Sequence, residues 1–295
     1  MKRFIIRVVI FVLVMFVTDR VVGYSLQYFV NHTKGGYVGH HQYMSNTMTK
    51  DVIIMGSSRA NHHYNPLIIE DSLHMSCYNC GQDGMGIVFN YGQWLLISER
   101  YSPKLIIYDV TPDFDCLKGD NHKFLGWLKL YYERKGIKDF FSSIDKKENI
   151  KMLSRIYRYN YNPLQIVADY IHPIYQVDST GFSPLEGDIN KMQIREEKLE
   201  KPYYEYDTLK LSLLEEFIRQ QNETKVVFVV SPVWYEMDKR FYEPIVDICK
   251  HNNCLFIDFS QDPKYVHNNE YFKDGMHLNK LGADEFTLDL LKYLK

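Results

Sequence analysis

From Lys50 onward two patterns of apolar and polar positions take turns along the chain. Short runs dominated by β-branched and aliphatic residues occupy 52–55, 104–110, 225–231 and 254–259, with a weaker one at 76–80. Each is bounded by polar turn residues, the signature of a strand buried on both faces of a parallel sheet. Between them lie stretches with apolar residues at helical spacing, at 86–100, 207–221, 236–251 and 279–294. Strand and helix in alternation predict a parallel sheet covered on both sides, a three-layer α/β domain over 51–295.

Two regions depart from that rhythm. Residues 115–204 carry no convincing strand and are rich in Tyr, Lys, Asp and Asn, with helical patches at 124–134 and 149–158. A connection of that length inside a compact domain reads as a helical insertion, a lid or a binding element. The N-terminus opens on Lys2, Arg3 and Arg7 and then runs apolar from Val8 to Val17. No small-residue cleavage site follows, so a removed signal peptide is disfavoured. Residues 1–30 are expected to form a single membrane anchor, although the uninterrupted run is shorter than the ~20 residues that span a bilayer, and Asp19 and Arg20 interrupt its continuation. The basic start places the N-terminus in the cytoplasm and the body outside. Residues 31–50 then read as a polar stalk.

Composition narrows the class. The 295 residues are 15% aromatic, with 24 Tyr, and 24% charged with a formal net charge of −2. Such a chain folds, and it lacks the basic stripe of a nucleic-acid binder. Five cysteines include one Cys-x-x-Cys, Cys77 and Cys80, without a second pair at zinc-finger spacing. An extracytoplasmic body would permit a disulfide between Cys77 or Cys80 and Cys116, or between Cys249 and Cys254. Neither a metal nor a cofactor is called for. Asn-x-Thr sequons at Asn31 and Asn222 are too short a pattern to carry an assignment.

In an open α/β sheet, ligands bind beyond the carboxyl ends of the strands. The five predicted strands deliver there Gly56-Ser57-Ser58-Arg59, Gly81-Gln82-Asp83-Gly84, Asp109-Val110-Thr111-Pro112-Asp113, Ser231-Pro232-Val233-Trp234 and, after the last, Asp274-Gly275-Met276-His277. A serine hydroxyl becomes a nucleophile when a base takes its proton, and that base is most often histidine. The histidine needs an acceptor on its other nitrogen, and Asp274 lies three residues before His277. A serine at a strand-to-helix turn also offers its backbone amide to a developing oxyanion, and a glycine such as Gly84 can bring its own amide close.

These residues resemble the SGNH (GDSL-like) hydrolase superfamily, whose sequence blocks fall in this order. The resemblance covers 50–295, interrupted by the insertion, and implies a flavodoxin-like parallel sheet. It implies a nucleophile at Ser58, with Ser57 the alternative, and oxyanion donors at the Ser58 amide and Gly84, with Gly81 the alternative. Asp274 and His277 match the family's Asp-x-x-His. The third block departs: where the family has an asparagine amide, this chain has Thr111 and Asp113. That departure and the N-terminal segment resemble the membrane-anchored branch of bacterial envelopes, whose members act beside multipass membrane acyltransferases on exported polysaccharides. The resemblance therefore implies an esterase or O-acyltransferase acting on acyl, chiefly acetyl, esters of a polysaccharide.

Other readings stand beside it. The serines could be helix caps, and the fold could have lost catalysis and bind a glycan or a partner acyltransferase. Asp109, Asp113 and Asp115 could hold a divalent cation, although turn capping also explains them. Arg59 pairs with a carboxylate such as Asp83 or Asp113, or faces an anionic substrate group. Trp234 is a candidate substrate contact. Tyr157, Tyr159, Tyr161, Tyr170 and Tyr175 either stack on sugar rings or form the insertion's own core. His62 and His63 are given a surface or core role rather than a metal.

Overall fold

Five short strands make the parallel sheet: β1 Val52–Met55, β2 Cys77–Asn79, β3 Leu105–Asp109, β4 Lys225–Val230 and β5 Leu255–Asp258. This computed structural model describes residues 1–174, 180–189, 205–221 and 223–294. The strand order is β2-β1-β3-β4-β5, every pair parallel, with Ile54 beside Asn79, Met55 beside Tyr108 and Asp109 beside Val229. The chain steps outward from β1 to β2 and returns to the other side of β1 as β3. The crevice beyond the carboxyl ends of β1 and β3 is thus the topological switch point, where ligands of such sheets bind.

Alternation along the strands divides the core. Val52, Ile54, Ile107, Val227 and Val229 pack with Phe286 and Leu290 of the C-terminal helix Lys280–Leu294 and with Ile69 of Pro66–Leu73. On the other face Tyr108 packs against both Phe228 and Phe217 of Thr208–Arg219, and Phe217 also takes Trp94 of Ile87–Ser98 edge-on. In chain order the helices are α1 Lys2–His32, α2 Gly36–Asn46, α3 Ser58–His63, α4 Pro66–Leu73, α5 Ile87–Ser98, α6 Pro112–Asp115, α7 Ile137–Ile144, α8 Glu148–Lys151, α9 Arg155–Arg158, α10 Pro163–Ile171, α11 Thr208–Arg219, α12 Glu243–His251 and α13 Lys280–Leu294.

The five expected strands are present: β1 has the bounds expected for it, and the other four are each shorter than their apolar run. The helix expected over 236–251 begins only at Glu243, because Asp238 caps a separate 3-10 turn and Pro244 sets the first turn of α12. All five cysteines are free thiols, and four of them are buried. Burial pushes the Cys77, Cys80, Cys116 and Cys249 thiols up, so they act as small core residues.

The chain divides into two units. One comprises residues 1–48, 95–97 and 121–177, and the other carries the sheet. In the first, the segment expected to be a polar stalk contains helix α2, with Val38, His41 and Met44 buried. Asp169 of α10 accepts a hydrogen bond from the Val38 amide at 2.9 Å. The patches expected as regular helices over 124–134 and 149–158 are instead 3-10 turns and single-turn helices.

Helix α1 corrects the expectation of a span over residues 1–30. Among the described residues no helix is long and apolar enough to cross a membrane. Side chains from Phe4 to Val17 are exposed, but that stretch extends only ~21 Å at 1.5 Å per residue, short of a ~30 Å hydrocarbon core. Its continuation is committed to protein. Asp19 accepts from the Ser154 hydroxyl and from the amides of Arg155 at 2.9 Å and Ile156 at 3.1 Å, while Arg20 donates to the Leu153 carbonyl at 3.1 Å. Gly23, Leu26 and Val30 are buried. Asp19→Ala is expected to destabilise this unit by about 1–3 kcal/mol, since it strands three donors. Faster amide hydrogen exchange across residues 23–30 and 154–156, with the sheet unaffected, is the readout.

Candidate active site

The site begins with a bend. Strand β1 is buried along its whole length and ends at Met55. Gly56 then adopts φ +140°, and a Cβ there would lie 2.7 Å from the Asp109 carbonyl oxygen and 2.9 Å from the Ala60 side chain. Only glycine turns the chain in that space. Ser57 follows in extended backbone as the N-cap residue, and Ser58 opens α3. Ser57 is 1% exposed and its hydroxyl has no partner among the described residues. Ser58 is half-buried and lies 2.8 Å from His277 Nε2 through its Oγ.

His277 sits in the loop before α13. Asp274 Oδ1 accepts from the Met276 amide at 2.8 Å and the His277 amide at 2.9 Å, and both carboxylate oxygens stand 3.0 Å from His277 Nδ1. Burial raises the Asp274 carboxyl, but the bonds from the His277 ring and from these two amides outweigh it, and the net shift is downward. An ionised carboxylate only accepts, so Nδ1 carries the proton and Nε2 offers its lone pair to the Ser58 hydroxyl. This is the tautomer general-base chemistry requires.

The loop is itself fastened. Lys273 N donates to the His277 carbonyl at 2.9 Å, Trp234 N donates to the Gly275 carbonyl at 3.1 Å, and Leu278 N donates to His63 Nε2 at 3.0 Å. A backbone amide can only donate, so His63 Nε2 is bare and its Nδ1 donates to the Ser231 hydroxyl at 3.0 Å. Burial, followed by the fields of His277 and Arg59, holds His63 well below the usual histidine range. It is a neutral strut. The pair His62 and His63 are core residues, both buried.

The second turn supplies two glycines. Gly81 is closely packed and its amide donates to Asn79 Oδ1 at 2.9 Å. Gly84 has φ +70°, open space around it, and no partner for its amide among the described residues. The turn is tied to the nucleophile's bend by the bond from Gln82 N to the Gly56 carbonyl at 3.1 Å.

Arg59 is turned away from solvent. It is 1% exposed, its Nε faces Asp109 Oδ1 at 3.3 Å, and its guanidinium donates to the Val110 carbonyl, to Thr111 Oγ1 at 3.4 Å and to the Ser231 carbonyl at 3.5 Å. Its partner is thus Asp109, neither Asp83 nor Asp113, and the guanidinium stitches β1, β3 and β4 together at their carboxyl ends. Thr111 is buried and gives its amide to Asp115 at 2.6 Å. Burial lifts Asp115 to about 7 against the bonds it accepts from Tyr108, Thr111 and Ile87. Asp113 is exposed, and its carbonyl accepts from Lys210. With Asp109 on Arg59 and Asp115 on three donors, those carboxylates cap and pair rather than converge on a cation. Trp234 is half-buried, bonded through Nε1 to Asn269 at 2.8 Å and edge-on to His267.

The one grouping of three metal-type ligands among the described residues is His122, Asp145 and Glu148 in the helical unit. Glu148 already accepts from Lys151 and Tyr157, so an ammonium neutralises it. Tyr157 is thereby engaged, Tyr159 is buried, Tyr161 packs edge-on to Trp127, and Tyr170 stacks on Phe29 at 4.7 Å. These four build their own unit, and Tyr175 lies outside the described residues.

No family model matches the chain, and no curated protein matches it. Among solved structures, it is similar to a Streptococcus pneumonia protein provisionally described as a platelet activating factor, at 11% identity and TM-score 0.42 over 98% of this chain and 99% of that one. It is also similar to a gut microbial diltiazem-metabolizing enzyme, at 11% identity and TM-score 0.41 over 84% of this chain and 48% of the other. Likeness at this level carries no argument about chemistry.

Replacing Arg59 by the similarly long Met removes the cation opposite Asp109, whose buried carboxyl then keeps only the Tyr64 hydroxyl and the Ser231 amide. Removing one partner of a buried pair costs about 3–5 kcal/mol. A fall of that size in the chemical denaturation of Arg59→Met is the expected result, far beyond the effect of an exposed substitution such as Lys292→Met.

Proposed function

We propose that the chain is a serine-dependent ester hydrolase or O-acyltransferase on a flavodoxin-like sheet of the SGNH type. Its substrate class is the acyl, chiefly acetyl, esters of an envelope or exported polysaccharide. One observation carries the reading: a continuous hydrogen-bonded series from the Ser58 hydroxyl through the His277 ring to the Asp274 carboxylate, at 2.8 and 3.0 Å. Its location beside the switch point of the sheet is where such chemistry is expected.

In this mechanism Ser58 Oγ attacks the ester carbonyl while His277 Nε2 takes the hydroxyl proton. The resulting imidazolium is stabilised by Asp274. Negative charge on the former carbonyl oxygen is met by the Ser58 amide and the unengaged Gly84 amide. Collapse breaks the bond to the leaving alcohol, which takes the proton from His277 and departs. Water then makes the enzyme a hydrolase, or a sugar hydroxyl makes it a transferase, by the same steps in reverse on the acyl-serine. Thr111 and Asp113 stand where the resembled family has its asparagine, and a third side-chain donor to the oxyanion is not part of this mechanism. The chemistry proceeds with the chain's own side chains.

The exposed apolar end of α1, flanked by Lys2, Arg3 and Arg7, supports membrane association by insertion rather than by a full span. The body would then work at the membrane surface into which α1 inserts, where a multipass acyltransferase could supply its acyl groups.

Incubation of the full chain with p-nitrophenyl acetate, followed by intact-mass spectrometry, is expected to show an acetyl adduct that Ser58→Ala abolishes. Asp274→Asn should lower kcat by about 10³–10⁴-fold, since the wrong tautomer is then favoured. An adduct that persists in Ser58→Ala overturns the assignment of the nucleophile. No adduct in the wild-type chain favours the rival role of a non-catalytic glycan or partner binder. For the membrane, the chain is expected to sediment with vesicles containing phosphatidylglycerol, and a chain lacking residues 1–17 to remain in solution. Equal sedimentation of the two removes the insertion reading.

A further inference from the structure

A second histidine–aspartate pair lies beside the first. His62, on the helix that Ser58 opens, is 7% exposed, and its ring stands perpendicular to that of His277 with centroids 5.6 Å apart. Its Nδ1 is 2.5 Å from the Ser183 carbonyl oxygen and its Nε2 is 3.3 Å from Asp83 Oδ1. A carbonyl oxygen can only accept, so Nδ1 carries a proton. Asp83 Oδ1 also accepts, taking the Asn61 side-chain amide at 2.8 Å, and the same oxygen faces Nε2 at ion-pair distance, which favours a proton there as well. Acceptors facing both ring nitrogens favour an imidazolium.

Asp83 immediately precedes Gly84. The turn that holds them closes on itself through Met85 N to the Gln82 carbonyl and hangs from Gly56 by one backbone bond. Its start at Gly81 packs closely on Ala60 and Asn61 of the nucleophile helix, and beyond Gln82 its side-chain ties to that helix among the described residues are those that Asp83 makes to Asn61 and His62. We infer that protonated His62 is a positioning residue, clamping Asp83 so that the Gly84 amide is held for the oxyanion, and that its deprotonation sets an alkaline limit on activity. This rests on the ester-transfer reading for its effect on rate, although not for the charge of His62.

The surroundings support the charged form. Burial disfavours it, but Asp83 and the Ser183 carbonyl outweigh burial, and the Asp274 carboxylate adds to them, so His62 is shifted upward. Asp83 is shifted downward, its bonds from His62 and Asn61 overcoming burial. The groups facing His62 are Asp83 from the second turn, Asp274 and His277 from the loop before α13, the Ser183 carbonyl from the 180–189 segment, and neutral His63 on its own helix. The sign follows: a raised histidine contributes fully below its ordinary value of ~6.5 and is lost as pH rises through the folded one. Loss of the Nε2 proton leaves a lone pair opposed to a carboxylate, and the turn is released.

Long-range ¹⁵N–¹H spectra of the full chain test the charge directly. Both nitrogens of His62 should give imidazolium shifts at pH 7, with a midpoint above ordinary histidine. His62→Gln and Asp83→Asn should each lower kcat toward p-nitrophenyl acetate by about tenfold to a hundredfold, the scale of a misplaced catalytic donor. Each should also erase the wild-type alkaline limb, and the double variant should be no worse than either. Asp83 is exposed, so its variant separates mispositioning from misfolding. A neutral His62 at pH 7, or a limb that survives in both variants, overturns the clamp even if Ser58 acylates. Should Ser58→Ala match wild type, the ester-transfer reading fails by itself, and the spectra still decide whether His62 is charged.

Discussion

The bend at Gly56 is the constraint on which the site depends. A strand buried on both faces has to leave the sheet within one residue, in space bounded by the Asp109 carbonyl and the Ala60 side chain. That geometry turns Ser57 inward and brings Ser58 to the crevice, one residue apart with opposite fates. It also drives Arg59 back under the sheet, where the guanidinium joins the ends of three strands. Ser58 is therefore held by the same few residues that close the carboxyl edge of the core. Precision at Ser58 comes from rigidity beneath it.

Three histidines around that bend differ in protonation because their partners differ. His63 receives a backbone amide on Nε2 and is buried, so it stays neutral and acts as a strut between α3, β4 and the last loop. His277 faces a carboxylate on one nitrogen and a hydroxyl on the other, leaving it one proton and one lone pair. His62 faces two acceptors. Residues adjacent in sequence thus differ in charge, and both rings stand edge-on to that of His277. Hydrogen-bond complementarity, more than burial, separates the two, since burial disfavours the charge of both His62 and His63.

Much of the sheet and of the Ser58–His277–Asp274 hydrogen-bonded series was legible in the sequence. Parallel strands buried on both faces announce themselves as apolar runs, and Asp-x-x-His before a terminal helix is local enough to imply contact. Long-range partners were not legible. Nothing in His62-His63 distinguishes a strut from a clamp, because their partners Ser183, Ser231 and Leu278 lie more than a hundred positions away. Arg59 was open for the same reason: which of several acids it meets depends on strand order, and β3 rather than β2 supplies the one below it. The expected stalk failed because α2 is covered by α10, whose Asp169 lies 131 positions after the Val38 it binds. Ser58 was preferred over Ser57 by the resemblance alone, and the φ of Gly56 supplies the physical reason that Ser58 is the one facing the crevice.

The N-terminal helix shows how one charge changes the meaning of an apolar segment. Read alone, Val8 to Val30 has the length of a span with two charges in its middle. Asp19 decides otherwise, because its carboxylate is the cap for the amides of α9 as well as the acceptor for Ser154. A carboxylate with three donors cannot also lie in hydrocarbon, since moving it there would break those bonds and desolvate the charge. From Asp19 onward the helix is thus part of a folded unit, and only the stretch before it remains to meet lipid. That stretch is too short to cross and too apolar on every side to pack as an ordinary amphipathic surface helix. The membrane association proposed for that stretch is accordingly insertion into one leaflet, which satisfies both limits.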